Sequence, residues 1–236
     1  MSGIHRIILS ILLFVLAPAL VYGQQTRIGI TALGEYSYNT TYGHHGNLDL
    51  MAEIPYKGVF EFQPALQLST ANTYTAALQT RALFALPAGS LYLKNRILFK
   101  DVARSGMYDA CLGLSLGYDW DYLDVEFGMF GRFMDSFDRD WHTLDGTICE
   151  PFNLLYSITG RIRPADSAWN VYLSLSNTDI FQLERMWQPI FHLGGWLNLS
   201  DRLRLGCELI SKPTGMFHLN AEFYSITARA GITYYL

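Results

Sequence analysis

The sequence predicts an all-β chain that folds as a single antiparallel transmembrane β-barrel of about twelve strands, with ten or fourteen strands as the alternatives. Three observations predict this fold class. Apolar side chains recur at every second residue along much of the chain, tight turns alternate with longer connections, and the N-terminus resembles an export signal. The predicted domains are a signal peptide over residues 1–23 and one barrel domain over residues 24–236.

The first 23 residues have the three parts of a secretory signal peptide. Arg6 lies in a short basic region, an apolar run covers residues 7–20, and the segment ends on Gly23. A membrane-anchor helix is the alternative, but the run is short for a span of about 20 residues. The signal predicts export and location in the outer membrane of a bacterial cell.

Composition argues against several function classes. The net charge is −4 and the basic residues form no run, so nucleic acid is not an expected partner. The widely spaced Cys111, Cys149 and Cys207 indicate three separate thiols or at most one bridge. In "GHHG" at 43–46, adjacent histidines on a strand would point apart and no third ligand is evident, so neither a metal nor another cofactor is predicted.

Alternating segments define twelve predicted strands. They lie near residues 26–38, 47–55, 58–69, 74–86, 90–101, 107–118, 121–133, 151–163, 168–177, 187–199, 202–211 and 225–236. Several connections between them are tight, while those at 39–46, 134–150, 178–186 and 212–224 are longer. Short turns at one end and longer loops at the other are typical of outer-membrane barrels. An even strand number places both chain ends on the short-turn side, the periplasm.

The final segment, "YSITARAGITYYL" at 224–236, shows the alternation most clearly. Every second residue from Ile226 to Leu236 is apolar, and Arg229 lies on the opposite face. A soluble sandwich would also alternate. Strand lengths near the 9–11 residues of a tilted span favour a membrane, with the apolar face toward lipid and the last strand closing against the first. Aromatic residues near the strand ends also favour it: Tyr36, Tyr38, Tyr118, Trp120, Tyr122, Phe133, Trp169, Trp187 and Tyr234.

This C-terminus resembles that of bacterial outer-membrane β-barrel proteins. Their last strand commonly ends in an aromatic residue; here Tyr234 and Tyr235 precede a terminal Leu236. The resemblance implies two partners, outer-membrane lipid and the barrel-insertion machinery.

The polar face of the strands predicts a charged lumen. Acids concentrate in the first three strands and bases in the next two, so segregated charges would select solutes across a pore. The alternative is that the charges pair and seal the lumen. The predicted lumen and selectivity residues are Glu53, Glu61, Arg81, Lys94, Arg96, Asp124, Glu126, Arg132, Arg161, Arg204 and Arg229.

The predicted function is a non-enzymatic, narrow passive channel for small polar solutes. A sealed structural or surface-binding barrel is one alternative. In length and strand count the chain resembles small twelve-stranded porins for acidic oligosaccharides, whose lumens are strongly basic, whereas this lumen is mixed.

The other alternative is a hydrolase at the barrel rim. Asp138, Asp140 and His142 resemble the Asp-Asp and Asp-His pairs of the omptin proteases, but here they share one loop, which favours a solvated or cation-binding loop. Outer-membrane phospholipase A needs His and Ser two residues apart on one strand face. No His-x-Ser occurs, so His192 is expected to be a lumen side chain.

Overall fold

The computed structural model describes residues 28–40, 43–71, 73–102, 107–136, 148–214 and 222–236. Within these ranges the chain forms a closed antiparallel barrel and one small two-stranded sheet. The all-β class, the single barrel and the number of twelve barrel strands are confirmed. The predicted signal peptide lies outside the described residues.

The strands are numbered in chain order. The barrel strands are β1 (Gly29–Asn39), β2 (Gly43–Tyr56), β3 (Phe60–Ser69), β4 (Thr73–Leu86), β5 (Gly89–Val102), β6 (Met107–Trp120), β7 (Leu123–Ser136), β8 (Ile148–Arg161), β9 (Trp169–Ser176), β12 (Ile190–Ser200), β13 (Leu203–Thr214) and β14 (Glu222–Tyr235). The small sheet pairs β10 (Thr178–Asp179) with β11 (Gln182–Leu183) in the connection between β9 and β12.

The barrel closes where the last strand pairs with the first. The register runs from Gly29 opposite Tyr235 to Asn39 opposite Ser225, and β13 pairs with the other edge of β14. Closure leaves no open edge, which matters because an unpaired backbone group in hydrocarbon costs several kcal/mol. The predicted closure of the last strand against the first is therefore confirmed.

One end of the barrel carries the short turns. In the hairpin between β2 and β3, Lys57 and Gly58 have φ of 52° and 66°, as a type I′ turn requires, and the Val59 amide donates to the Tyr56 carbonyl at 3.1 Å. We call this end, which also holds both ends of the barrel domain, the turn end. The opposite end, with the longer connections, is the loop end.

The outer face of the barrel is apolar, as the alternation predicts. Its exposed side chains include Leu50, Phe62, Ile97, Leu112, Leu114, Leu116, Phe127, Met129, Leu173, Leu193, Leu209, Ile226 and Ile232. A continuous surface of this kind suits lipid rather than water. No helix among the described residues is long and apolar enough to cross a membrane.

Exposed aromatic side chains lie at the strand ends. Tyr36, Trp120 and Trp169 are examples, in keeping with aromatic girdles at the two interfaces. Trp187 departs from the prediction because β12 begins only at Ile190, so Trp187 belongs to the preceding connection.

Inward-facing tyrosines fill space above glycines of neighbouring strands. Tyr92 lies across Gly117, where an added Cβ would meet the ring at 2.2 Å, and Tyr172 lies in the same way across Gly194 at 2.4 Å. Because glycine has no side chain, the two tyrosine rings can lie against the lumen wall at these positions. The rings thereby narrow the lumen.

We expect the cost of a charge on the outer face to depend on depth. Leu114 is exposed near the middle of β6, so Leu114→Arg should lower the free energy of unfolding by about 2–4 kcal/mol. The matched change Leu86→Arg, at the turn end of β4, should cost only about 0–1 kcal/mol. Denaturant unfolding in lipid vesicles measures both, and equal costs would contradict the assigned outer face.

Candidate functional site

The connection between β9 and β12 folds into the barrel. Residues 177–189, called here the inward loop, contain β10 and β11 and place Phe181 and Leu183 among buried residues of the lumen wall. The sequence predicts residues 178–186 only as a longer connection at the loop end. The structure confirms a longer connection here and adds that the connection turns back into the lumen.

Asn177 fixes the start of the inward loop to β8. Its side chain is fully buried, accepts a hydrogen bond from the Tyr156 amide at 2.8 Å, and donates to the carbonyls of Leu154 at 2.7 Å and Glu184 at 2.9 Å. One side chain therefore satisfies backbone groups of the wall and of the loop, and ties both together.

Apolar side chains of the loop have matching positions in the wall. Phe181, 1% exposed, packs with Ala65 of β3 and Ala77 of β4. Leu183 joins an apolar cluster formed with Leu98, Cys111, Phe130 and Leu155, from the four consecutive strands β5 to β8. These contacts hold the loop against the wall by excluding water.

The polar side of the inward loop meets Arg229 of β14. The Arg229 guanidinium lies 2.6 Å from Asp179 of the loop, 2.7 Å from Glu35, 3.3 Å from Glu208 and 3.6 Å from Asp49. Strand register explains part of this arrangement, since Glu35 and Glu208 are directly opposite Arg229 on the two neighbouring strands. We call these five residues the Arg229 cluster.

The neighbouring side chains complete the hydrogen bonding of the cluster. Gln67 donates to Asp49 at 2.9 Å, Tyr172 donates to Glu208 at 2.8 Å, and Asn47 donates to Glu35. The carboxylates are thus held by several strands as well as by Arg229.

Asp179 belongs to the loop and not to a membrane-spanning strand, and its charge links the loop to Arg229 of β14. Burial alone would raise the pKa of Asp179, but the charge and hydrogen bonds of Arg229 outweigh burial and hold the pKa below its usual range. Asp179 is therefore ionised, and the loop stays paired, over the whole physiological range of pH.

Three side chains near the loop have the order of a catalytic triad. Ser176 Oγ lies 3.4 Å from His192 Nε2, and His192 Nδ1 lies 3.0 Å from Glu208 Oε1. However, Ser176 Oγ donates to the Thr178 carbonyl at 2.7 Å and Ser176 is only 1% exposed. The hydroxyl proton is directed away from the imidazole and a substrate has no path to the oxygen, so Ser176 serves to anchor the loop.

The inward loop and the Arg229 cluster lie between two chambers that the described residues form in the lumen, and together we call the loop and the cluster the septum. The loop-end chamber has a volume of about 110 Å³ and reaches Phe181, Gln182, Leu183 and Glu184. The turn-end chamber has a volume of about 360 Å³ and reaches Thr178, Asp179 and Ile180. The two chambers share no lining residue.

Ion pairs occupy much of the turn-end chamber wall. Arg81 lies 3.3 Å from Asp119 and 3.7 Å from both Glu61 and Asp124, while Arg161 contacts the same two aspartates. Here acids and bases alternate closely around the wall instead of facing each other across an open pore.

A second group of ion pairs lies deeper in the barrel. Glu126 pairs with Arg96 and lies 3.8 Å from Lys94. Toward the loop end, Arg132 pairs with Asp109 at 2.5 Å. The segregated acidic and basic patches expected from the sequence are therefore largely neutralised by ion pairs between strands of the barrel.

The structure brings nine of the predicted lumen residues into these lumen ion pairs. They are Glu61, Arg81, Lys94, Arg96, Asp124, Glu126, Arg132, Arg161 and Arg229. Glu53 and Arg204 lie apart from them, near the turn end, where Arg204 donates to Asn198 at 2.8 Å. Their part in selectivity stays a prediction.

The remaining predicted site is the hydrolase site at the barrel rim. Asp138, Asp140 and His142 lie outside the described residues. The structure has Cys111, Cys149 and Cys207 as free thiols. In the part of the chain that the structure describes, no group of three or more His, Cys, Asp or Glu residues is arranged to hold a metal ion.

Sequence reasoning missed Asp179, Phe181 and Leu183 as site residues. It placed Glu35, Asp49 and Glu208 on the polar face of the strands but did not name them as site residues. Leu98, Phe130 and Leu155 carried a usable signal, because they are apolar at inward positions of the alternation. Such residues in a polar lumen indicate that something apolar packs against them.

The fold and the lipid-facing surface together define an outer-membrane β-barrel protein. Among solved structures, the chain is similar to the KdgM porin in complex with disordered oligogalacturonate, with a TM-score of 0.54, 10% identity, and coverage of 87% of this chain and 98% of that one. It is similar also to the NanC porin, with a TM-score of 0.52, 10% identity, and coverage of 88% and 100%. No protein-family model and no curated protein matches the chain. The likeness at this identity is one of fold.

We expect Phe181→Ala to release the inward loop. The change removes the largest buried side chain of the loop, and burial of a phenylalanine is worth about 3–5 kcal/mol. Hydrogen exchange at the amides of Asn177 and Glu184, both of which are hydrogen-bonded in the docked loop, measures the release. Met186→Ala, which truncates an exposed side chain of the same loop, is the control. Unchanged protection in Phe181→Ala would refute the docking described above.

The docked loop should tolerate mild acid. Because the pKa of Asp179 is lower in the folded state than its ordinary value of about 3.9, the pairing is fully present above that value and is lost only as pH falls through the lower one. Protection of the loop amides, corrected for the intrinsic pH dependence of exchange, should therefore be equal at about pH 7 and pH 5. Asp179→Asn should lower protection at both values. Loss of protection at the lower pH in the unmodified protein would contradict the pairing.

Proposed function

We propose that the protein is a narrow passive channel for small polar solutes in a bacterial outer membrane. The observation that supports this proposal is the pair of polar chambers that enter the barrel from its two ends and stop at the septum. A structural plug would need no such chambers, whereas a channel needs entry volumes on both sides of its narrowest point.

The septum is the proposed constriction of this channel. Loops that fold into a barrel limit the passage in membrane barrels generally. The twelve strands give a lumen between those of small filled barrels and of large open porins, so one loop is enough to control it. The fold similarity to the KdgM porin and the NanC porin supports a passage for solutes.

The turn end faces the periplasm in this proposal. The signal peptide directs export, the insertion machinery recognises the last strand, and outer-membrane lipid contacts the apolar face. The charged lumen residues set the preference among solutes, since the charges that line a pore act at close range.

A sealed barrel is the second candidate. Complete burial of Asp49 within the Arg229 cluster favours it, because water does not reach the middle of the septum in the structure. The two candidates differ in one measurable quantity, the conductance of the unmodified protein.

Reconstitution in planar bilayers separates the candidates. We expect a small, steady conductance from the unmodified protein, and a larger one when residues 179–185 are replaced by a Gly-Ser linker of equal length, because the loop is the main obstacle. Heat modifiability on a gel verifies that the variant is folded. Conductance in the variant alone would indicate a sealed barrel, and no conductance in either would exclude the channel.

A further inference from the structure

The septum has a charge composition unlike that of the chambers. Four carboxylates surround the single guanidinium of the Arg229 cluster. His192 contacts this cluster through Glu208, and even a protonated imidazole would leave twice as many acids as bases. The septum, which is the proposed constriction, is therefore strongly acidic.

The chambers, in contrast, are close to neutral. The side chains that line the loop-end chamber include three acids, Glu35, Asp109 and Glu184, and three bases, Lys100, Arg132 and Lys212. The turn-end chamber is lined by four acids and five bases, of which Asp179, Glu208 and Arg229 belong to the septum. Its four other bases pair with Asp119 and Glu126 in the chamber wall. A solute thus meets no large charge imbalance before it reaches the septum.

Asp49 provides a second observation at the same place. Asp49 is fully buried, and its Oδ2 has no hydrogen-bond donor among the described residues. The Arg229 Nε lies 3.6 Å from this oxygen. Asp49 thus holds an unpaired acceptor atom inside the septum, and a hydrated cation would reach this atom when the septum admits water.

We infer that the septum makes the channel cation-selective, so that the solutes it passes are small cations or carry a net positive charge. Two physical effects combine. Charges act more strongly where water is excluded, as in a septum whose members Glu35, Asp49 and Arg229 are all buried. Rings of Asp and Glu side chains are also the usual basis of cation selectivity in pores.

This inference rests on the proposed channel function and adds the sign of its preference. Passage requires the septum to admit water, and when it does, Arg229 offsets only one of the four carboxylates. Three basic residues of β4 and β5 are offset by acids within the barrel, since Arg81 pairs with Asp119 and both Lys94 and Arg96 lie within ion-pair distance of Glu126.

The reversal potential in a KCl gradient across a planar bilayer tests the inference. We expect the unmodified protein to be several-fold more permeable to K⁺ than to Cl⁻. Glu35→Gln and Asp179→Asn should each lower this permeability ratio, because each removes one carboxylate from the septum and keeps the side-chain shape. Asp166→Asn removes the same charge from the exposed turn between β8 and β9, and its ratio should match that of the unmodified protein.

The possible outcomes separate failure of the inferred cation selectivity from failure of the proposed channel function. Steady conductance with a ratio at or below one would overturn cation selectivity and leave the channel intact. If the K⁺/Cl⁻ permeability ratio is the same in the unmodified protein and in both septum variants, the septum does not set the selectivity. This result would also overturn the inference. Absence of conductance would overturn the channel and the inference together. Heat modifiability shows that each variant is folded, and the two septum variants serve as independent tests should one of them fail to insert.

Discussion

The pairing of Arg229 with acids on three sides holds the middle of the barrel together. Glu35 and Glu208 flank it on the adjacent strands, and Asp179 reaches it from the inward loop. Since Glu35 is on β1 and Arg229 on β14, the same side chain also joins the two strands that close the barrel. Removing one partner of a buried ion pair typically costs about 3–5 kcal/mol, because the other charge is left without compensation. Arg229 therefore contributes to barrel closure, to the position of the loop and to the division of the lumen.

The inward loop extends the Arg229 cluster into a septum. Asp179 of the loop joins the cluster, and apolar side chains of the loop contact the opposite side of the barrel wall. Phe181 and Leu183 pack against wall residues of β3 to β8, while Asp179 binds the opposite wall. The loop thus crosses the lumen and is held at both sides, with Asn177 fixing its start. A loop held in this way is a fixed part of the lumen, and in the proposed channel its side chains would control passage together with those of the strands.

The barrel itself was predictable from the sequence, whereas the septum was not. A two-residue alternation assigns each strand residue to lipid or lumen without any knowledge of the partners, which is why strand number, outer face and the inward position of Arg229 could be predicted. Residues 178–186 show no such period, so their path depends on contacts with strands far away in the sequence. Ser176 and His192 illustrate the same limit, since they meet across neighbouring strands and not within one.

The position of Leu183 inside the barrel is the most direct test of the divided lumen. In a variant with Leu183→Cys, Cys149→Ser and Cys207→Ser, the new thiol would lie in the buried cluster that contains Cys111. Oxidation in intact membranes should then form an intramolecular disulfide, seen by mass spectrometry, and a bulky membrane-impermeant maleimide should not label the new thiol. Rapid labelling of the introduced thiol by that maleimide, with no disulfide to Cys111, would show that the loop lies outside the barrel and would contradict the account.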